Sequence, residues 1–166
     1  MEFIGLSRSQ VNVAASIGRQ FRLGTLGSFD DTEFGTQIYL YVQVVQAVIR
    51  GSLVLTLTGE EAIPLTTAIA GPAVGQGHQI GAVQAVMGIG DFGWMQVYGR
   101  GPALTEGLAG ASRFLNTTDE AGSLDDDGSA LTIAVPGIIL DTATGASQAV
   151  NESAHFNWPS AGAVLS

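Results

Sequence analysis

The chain has 166 residues, 46% of them hydrophobic and only 13% charged, with 23 glycines, no cysteine and a formal net charge of −9. That composition belongs to one folded, turn-rich domain burying about 70% of its extended surface, and it excludes a disordered chain. The lack of cysteine removes disulfides, thiolate nucleophiles and thiolate metal sites, while six arginines against fifteen acids make nucleic acid an unexpected partner.

A freely dissolved monomer normally carries about 25% charged residues, so part of so uncharged a surface is expected to be covered by a partner. No stretch of about 18 apolar residues occurs, so no membrane span is expected. The opening residues, Met1 to Leu6, lack a cationic stretch followed by a long apolar one, and the expectation is a protein made and kept in a cytoplasm.

Residues 1 to 28 hold three arginines and one acid, net +2, whereas residues 29 to 166 hold three arginines and fourteen acids, net −11. With Gly18, Gly24 and Gly27 interrupting any helix, the amino end reads as an extended arm. Its Arg8, Arg19 and Arg22 are candidate partner-binding residues, because the guanidinium fork grips carboxylates in bidentate fashion. The acidic segment Ser28 to Gly35 reads as the junction, giving an arm and junction over 1–34 and a β body over 35–166.

Residues 36–45, TQIYLYVQVV, alternate Ile38, Leu40, Val42 and Val44 against Tyr39, Tyr41 and Val45, a strand that needs cover on both faces. The expectation is that neighbouring copies provide it, with Tyr39 and Tyr41 at the partner surface. Gly51-Ser52 followed by alternating Leu53, Leu55 and Leu57 predicts a hairpin with that strand. Short runs at 79–87, 94–98, 130–135 and 137–141 recur every 8 to 12 residues or so between Gly, Pro and Asp clusters. In Leu104 to Leu115, Gly107 and Gly110 favour strand or loop over helix. The fold class is therefore all-β, a β-sandwich or jelly-roll-like barrel with an extended amino-terminal arm.

Gly88-Ile89-Gly90-Asp91-Phe92-Gly93 matches the dinucleotide-binding pattern in letters, but an aromatic strand follows where a helix would be required, so a turn between strands is expected. The acidic turn 119–127 offers hard-cation oxygens, yet counting from Asp125 places Ala130 and Pro136 where an EF-hand needs Gly and Glu. A solvated turn is favoured over a metal site. His78 and His155 lie apart without a nucleophile motif, and although His155 has Ser153 and Glu152 nearby, no catalysis is assigned. No cofactor is expected.

Four phrases lie in the second half of the chain: GDFGWMQVYGRG at 90–101, NTTDEAGSLDDDG at 116–128, GIILDTATGASQ at 137–148, and Phe156-Asn157-Trp158-Pro159. Together, over residues 70–160 or so, they resemble the head decoration or cement proteins of tailed bacteriophages. The resemblance implies a β-sandwich or β-barrel body, commonly trimeric, that clamps major capsid subunits on the outer surface of the shell, and a location on the virion. It carries over no functional residue. The expected partners are the major capsid protein and further copies of the chain. The alternative is a carbohydrate-binding head fibre or adhesin, in which Tyr39, Tyr41, Trp94 or Trp158 stack on sugar rings if they are exposed.

Overall fold

The computed structural model describes residues 11, 18–58, 60–71, 75, 77–143 and 150–165. Its regular structure is almost wholly strand, with one four-residue helix. In chain order the elements are β1 (Leu26–Asp31), β2 (Gly35–Val44), β3 (Leu53–Thr56), β4 (Glu61–Pro64), α1 (Thr67–Ala70), β5 (Ile80–Val83), β6 (Phe92–Thr105), β7 (Asn116–Thr117), β8 (Leu124–Asp125), β9 (Ile138–Leu140) and β10 (Val150–Asn157). Most of the arm, residues 1–10 and 12–17, lies outside the described residues, and Arg8 with it.

Five strands close a ring: β2 pairs with β6, β6 with β5, β5 with β3, β3 with β4, and β4 returns to β2 in the ring's one parallel pairing. Closure gives each ring strand a partner on both edges and so leaves no edge of the ring for a neighbour to extend. β1 adds to β2 beyond the ring. β6 is 14 residues long and outruns the ring. From Tyr98 onward it pairs with all eight residues of β10, which in turn carries β9.

Side chains alternate along every ring strand, and the alternation sorts the apolar residues into three cores. Val42, Val44, Val54, Ala62, Val83, Met95 and Val97, drawn from all five ring strands, fill the interior of the ring. Leu53, Leu55, Ile80 and Ala82 point outward and are roofed by Leu115, Leu124, Ile138, Leu140, Ala154 and Phe156 of the second layer. On the other side Tyr39, Tyr41 and Trp94 are capped by Phe21, Leu23, Phe29 and Phe92.

The cover that β2 needs is therefore supplied within the chain. Tyr39 and Tyr41, expected at a partner surface, have no solvent exposure. Tyr41 packs edge-on to Phe21 and Trp94 at 5.2 and 5.0 Å, and Phe29 meets Tyr39 at 5.2 Å. Phe21 and Phe29 come from the segment expected to be arm. That segment belongs to the body: Gly24 N–H donates to the Tyr41 carbonyl, and β1 pairs with β2 from Leu26↔Leu40 to Asp31↔Gly35.

The acidic junction is consequently a hairpin turn. The Asp31 carboxylate accepts from the amides of Glu33 and Phe34 at 2.8 and 3.0 Å, and Gly35 takes φ +70°, where a side chain would be strained. The hairpin expected across Gly51-Ser52 does not form. Both edges of β2 are already occupied by β1, β4 and β6, so β3 pairs with β4 and β5 instead. Gly88 to Gly93 is a turn leading into β6, as its aromatic continuation requires: the Asp91 carboxylate accepts from Gly88 N–H at 2.8 Å.

Candidate binding face on β6, β10 and β9

The extension of β6 beyond the ring begins at Gly99. Its φ of +86° turns the strand, and an added Cβ would stand 2.4 Å from the Thr36 carbonyl oxygen. Around that point the residues of β6, β10 and β9 divide by face, until Leu104 and Thr105 are buried together with Ala103 at the end of β6. Ala103, Ala154, Phe156, Ile138 and Leu140 face the core, while Tyr98, Arg100, Ser153, His155, Asn157 and Ile139 face out. The alternation Val-Asn-Glu-Ser-Ala-His-Phe-Asn of 150–157 is the local signal for β10, with small or apolar residues at 154 and 156 on the buried side.

Register puts Arg100, His155 and Ile139 side by side on this outer face. Asp141, just beyond β9, ties them together. Its Oδ2 accepts from Arg100 Nε at 2.5 Å and from Ser153 Oγ at 2.6 Å, and its Oδ1 lies 3.1 Å from His155 Nε2. Arg100 Nε also donates to Ser153 Oγ at 3.1 Å. Burial by itself pushes the Asp141 carboxyl up. The hydrogen bonds from Ser153 and Arg100, with the charges of His155 and Arg100, outweigh it and hold the pKa below the ordinary aspartate value.

Although Ser, His and Asp meet here, the order is not that of a hydrolytic triad. The aspartate stands between the other two, so the Ser153 proton is held by a carboxylate rather than by an imidazole. What the network does is immobilise Arg100. Phe34, at the tip of the β1–β2 turn, lies under the guanidinium with 5.3 Å from ring centroid to Cζ. Two depressions meet at this pair. One of about 340 Å³ is lined by Phe34, Arg50, Arg100, Pro102, Asn151 and Glu152; one of about 510 Å³ by Phe34, Tyr98, Arg100, His155 and Asn157.

Of the arginines singled out from the sequence, Arg19 and Arg22 are exposed and line neither depression; Arg50 and Arg100 were not singled out. Nothing local marks them, because their meeting depends on pairing between strands far apart in sequence. Trp94 is buried with Tyr39 and Tyr41, so three of the four aromatics named for sugar stacking form no platform. Trp158 alone is displayed, 43% exposed at φ +49°, its N–H held by the Val97 carbonyl. His78 is committed to the Thr56 carbonyl at 2.7 Å.

The acidic turn is a scaffold for β7 and β8. Asn116 Nδ2 donates to Asp127 Oδ1 at 3.0 Å, and Asp126 Oδ2 accepts from Gly110 N–H at 3.0 Å. Among the described residues no three His, Asp or Glu side chains are grouped as a metal ion would need. Burial, then the charges of Asp127, Glu106 and Asp126, raise the Asp125 pKa against one backbone hydrogen bond from Asp126.

A third depression, of about 700 Å³, has a largely apolar lining that includes Leu115, Ala134, Val135, Pro136, Ala163 and Leu165, with Arg113 and Asp126 also on it. Phe114 stands at its rim, 92% exposed. The backbone carries Leu131 and Val164 to the same region, through the Leu131 N–H to Leu165 carbonyl bond and the Ile133–Val164 bridge. Leu131 is 75% exposed and sits at φ +72°, a strained setting for a bulky residue.

No protein-family model matches the chain, and no curated protein matches it.

Proposed function

We propose that the chain is a virion structural protein that binds the outer surface of a bacteriophage capsid lattice and stabilises it, acting as a trimer. The observation that carries this reading is Phe114, 92% exposed on the lining of the 700 Å³ hollow and forming its apolar ledge, with exposed Leu131 and Val164 outside that lining. Left-handed backbone at a bulky residue costs about 1–3 kcal/mol, and exposing a large apolar side chain forfeits about 1.5–3 kcal/mol of burial. A partner that covers these residues offsets both.

The phrases that resemble decoration proteins support the same reading. They fold into neighbouring elements, since β6 pairs with β10 and β8, β10 with β9, and β7 with β8. They are therefore one packing unit, most of whose apolar side chains form the core. Arg19 and Arg22, exposed on the segment leading out of the arm, supply a second contact to acidic capsid surface.

The test is co-sedimentation with capsids stripped of their decoration, alongside the solution mass of the free protein. Wild type is expected to pellet with stripped shells, and Phe114→Asp to stay in the supernatant while unfolding at an unchanged midpoint. Equal pelleting of the two proteins removes the ledge from the interface; no pelleting of wild type sinks the capsid reading.

A further inference from the structure

The 340 Å³ depression gathers polar groups that the protein does not use. Among the described residues neither Arg50, Asn151 nor Glu152 makes a side-chain hydrogen bond or ion pair, although all three line one pocket. Arg100 spends its Nε on Asp141 and Ser153, and its two terminal nitrogens have no hydrogen-bond partner among the described residues. Phe34 and Pro102 add apolar surface to the same lining. A pocket that joins apolar walls to a few converging polar groups is the usual form of a small-molecule site.

We propose that this pocket binds a neutral saccharide. Charge decides against an acid. Of the lining, Arg50 and Arg100 stand with Glu152, and Asp141, outside the lining, pairs with Arg100, so little net charge is left to offer a carboxylate or phosphate, and the whole chain carries −9. The mixture of donors and acceptors decides for hydroxyls. The terminal nitrogens of Arg100 and the guanidinium of Arg50 donate, the Glu152 carboxylate accepts, and Asn151 does either. A ring bearing several hydroxyls satisfies all of these at once, whereas a peptide carboxylate leaves Glu152 facing a like charge. The C–H face of the ring lies against Phe34 and Pro102.

Phe34 and Arg100 are preorganised for this. Two amide bonds to Asp31 fix the turn that carries Phe34, and Asp141 and Ser153 fix the arginine stacked on it. Little conformational entropy is left to lose on binding. The inference is independent of the capsid reading, because the pocket and the Phe114 ledge have no lining residue in common.

The experiment is an amide-resonance titration of the full chain with the methyl glycosides of glucose, galactose, mannose and N-acetylglucosamine, with galacturonic acid and an oligo-aspartate peptide as acidic probes. At least one neutral glycoside is expected to bind with a Kd of about 1 mM, shifting resonances of residues 34, 50, 101 and 151–153. Arg50→Gln, an exposed change that leaves the Asp141 network intact, is expected to weaken it roughly tenfold, the loss of one charged hydrogen bond. Glu152→Gln and Phe34→Ala weaken it as well, and Phe114→Asp leaves it unchanged. Silence from every neutral glycoside overturns the proposal, as does tighter binding of galacturonate or the peptide, or shifts centred elsewhere, for instance on Trp158.

Discussion

Several residues here do work that only their surroundings explain. Tyr39 is buried with its hydroxyl donating to Gln37 Oε1 at 2.7 Å, and Gln37 in turn donates to the Arg100 carbonyl at 2.5 Å. Removing the hydroxyl takes one hydrogen bond from the buried Gln37 side chain, so Tyr39→Phe is expected to cost about 0.5–1.5 kcal/mol in chemical denaturation despite keeping the ring. Asp141 and Asp125 have opposite pH signatures. The folded-state pKa of Asp141 is depressed, so its contribution is present above the usual value of 3.8 and is lost as pH falls through the lower folded value. Asp141→Asn should therefore lower the denaturation midpoint at pH 7, with the gap closing in acid. Asp125 is raised, so the folded state holds its proton more tightly and stability declines as pH rises from 3.8 through the higher folded value. Asp125→Asn, which still accepts from Asp126 N–H, is expected to raise the midpoint at pH 7 and to match wild type in strong acid.

At the level of elements, β6 is the member on which the others depend. Its first half closes the ring with β2 and β5, and its second half builds the outer sheet with β10. The change of role occurs at Gly99, where φ is positive and a Cβ would stand 2.4 Å from Thr36 O and 3.0 Å from Gln37 Cα. Because the obstacles are backbone atoms, they cannot swing aside. Gly99→Ala is expected to lose about 2–4 kcal/mol, read from the urea midpoint, and to disturb Arg100 next to it. The same dependence explains how the arm-like segment joined the body. Phe21 and Phe29 cover the outer face of β2 and β6, and a bare face bearing Tyr39, Tyr41 and Trp94 would expose three aromatics worth several kcal/mol of burial.

Over the whole molecule, low charge and apolar abundance are partitioned rather than spread. Three cores absorb most of the large apolar side chains, and among those left outside Phe114 is 92% exposed on the ledge. A free monomer gains nothing from that ledge, so association is expected to depend on it. In sedimentation or light scattering, any trimer that uses it should dissociate in Phe114→Asp, with stability of the monomer changed by no more than about 0.5 kcal/mol, as for other exposed positions. An oligomer unchanged by this substitution must use another surface, and the edge of β1, the terminal strand of the sheet among the described residues, is the next to test.

Sequence alone determined the all-β class and several strand positions, because both rest on local physics: period-two alternation in TQIYLYVQVV, and turn chemistry at Gly88 to Gly93 and at 119–128. It also gave the need of β2 for cover on both faces. It did not say who provides the cover; Phe21, Leu23 and Phe29 pack on Tyr39, Tyr41 and Trp94 from within the chain. Ring closure, the loss of the 51–52 hairpin and the meeting of Phe34, Arg50, Arg100, Asp141 and Glu152 were decided by tertiary structure alone. Each depends on which strand wins a given edge, a competition among segments up to about a hundred residues apart in which no single segment carries the answer.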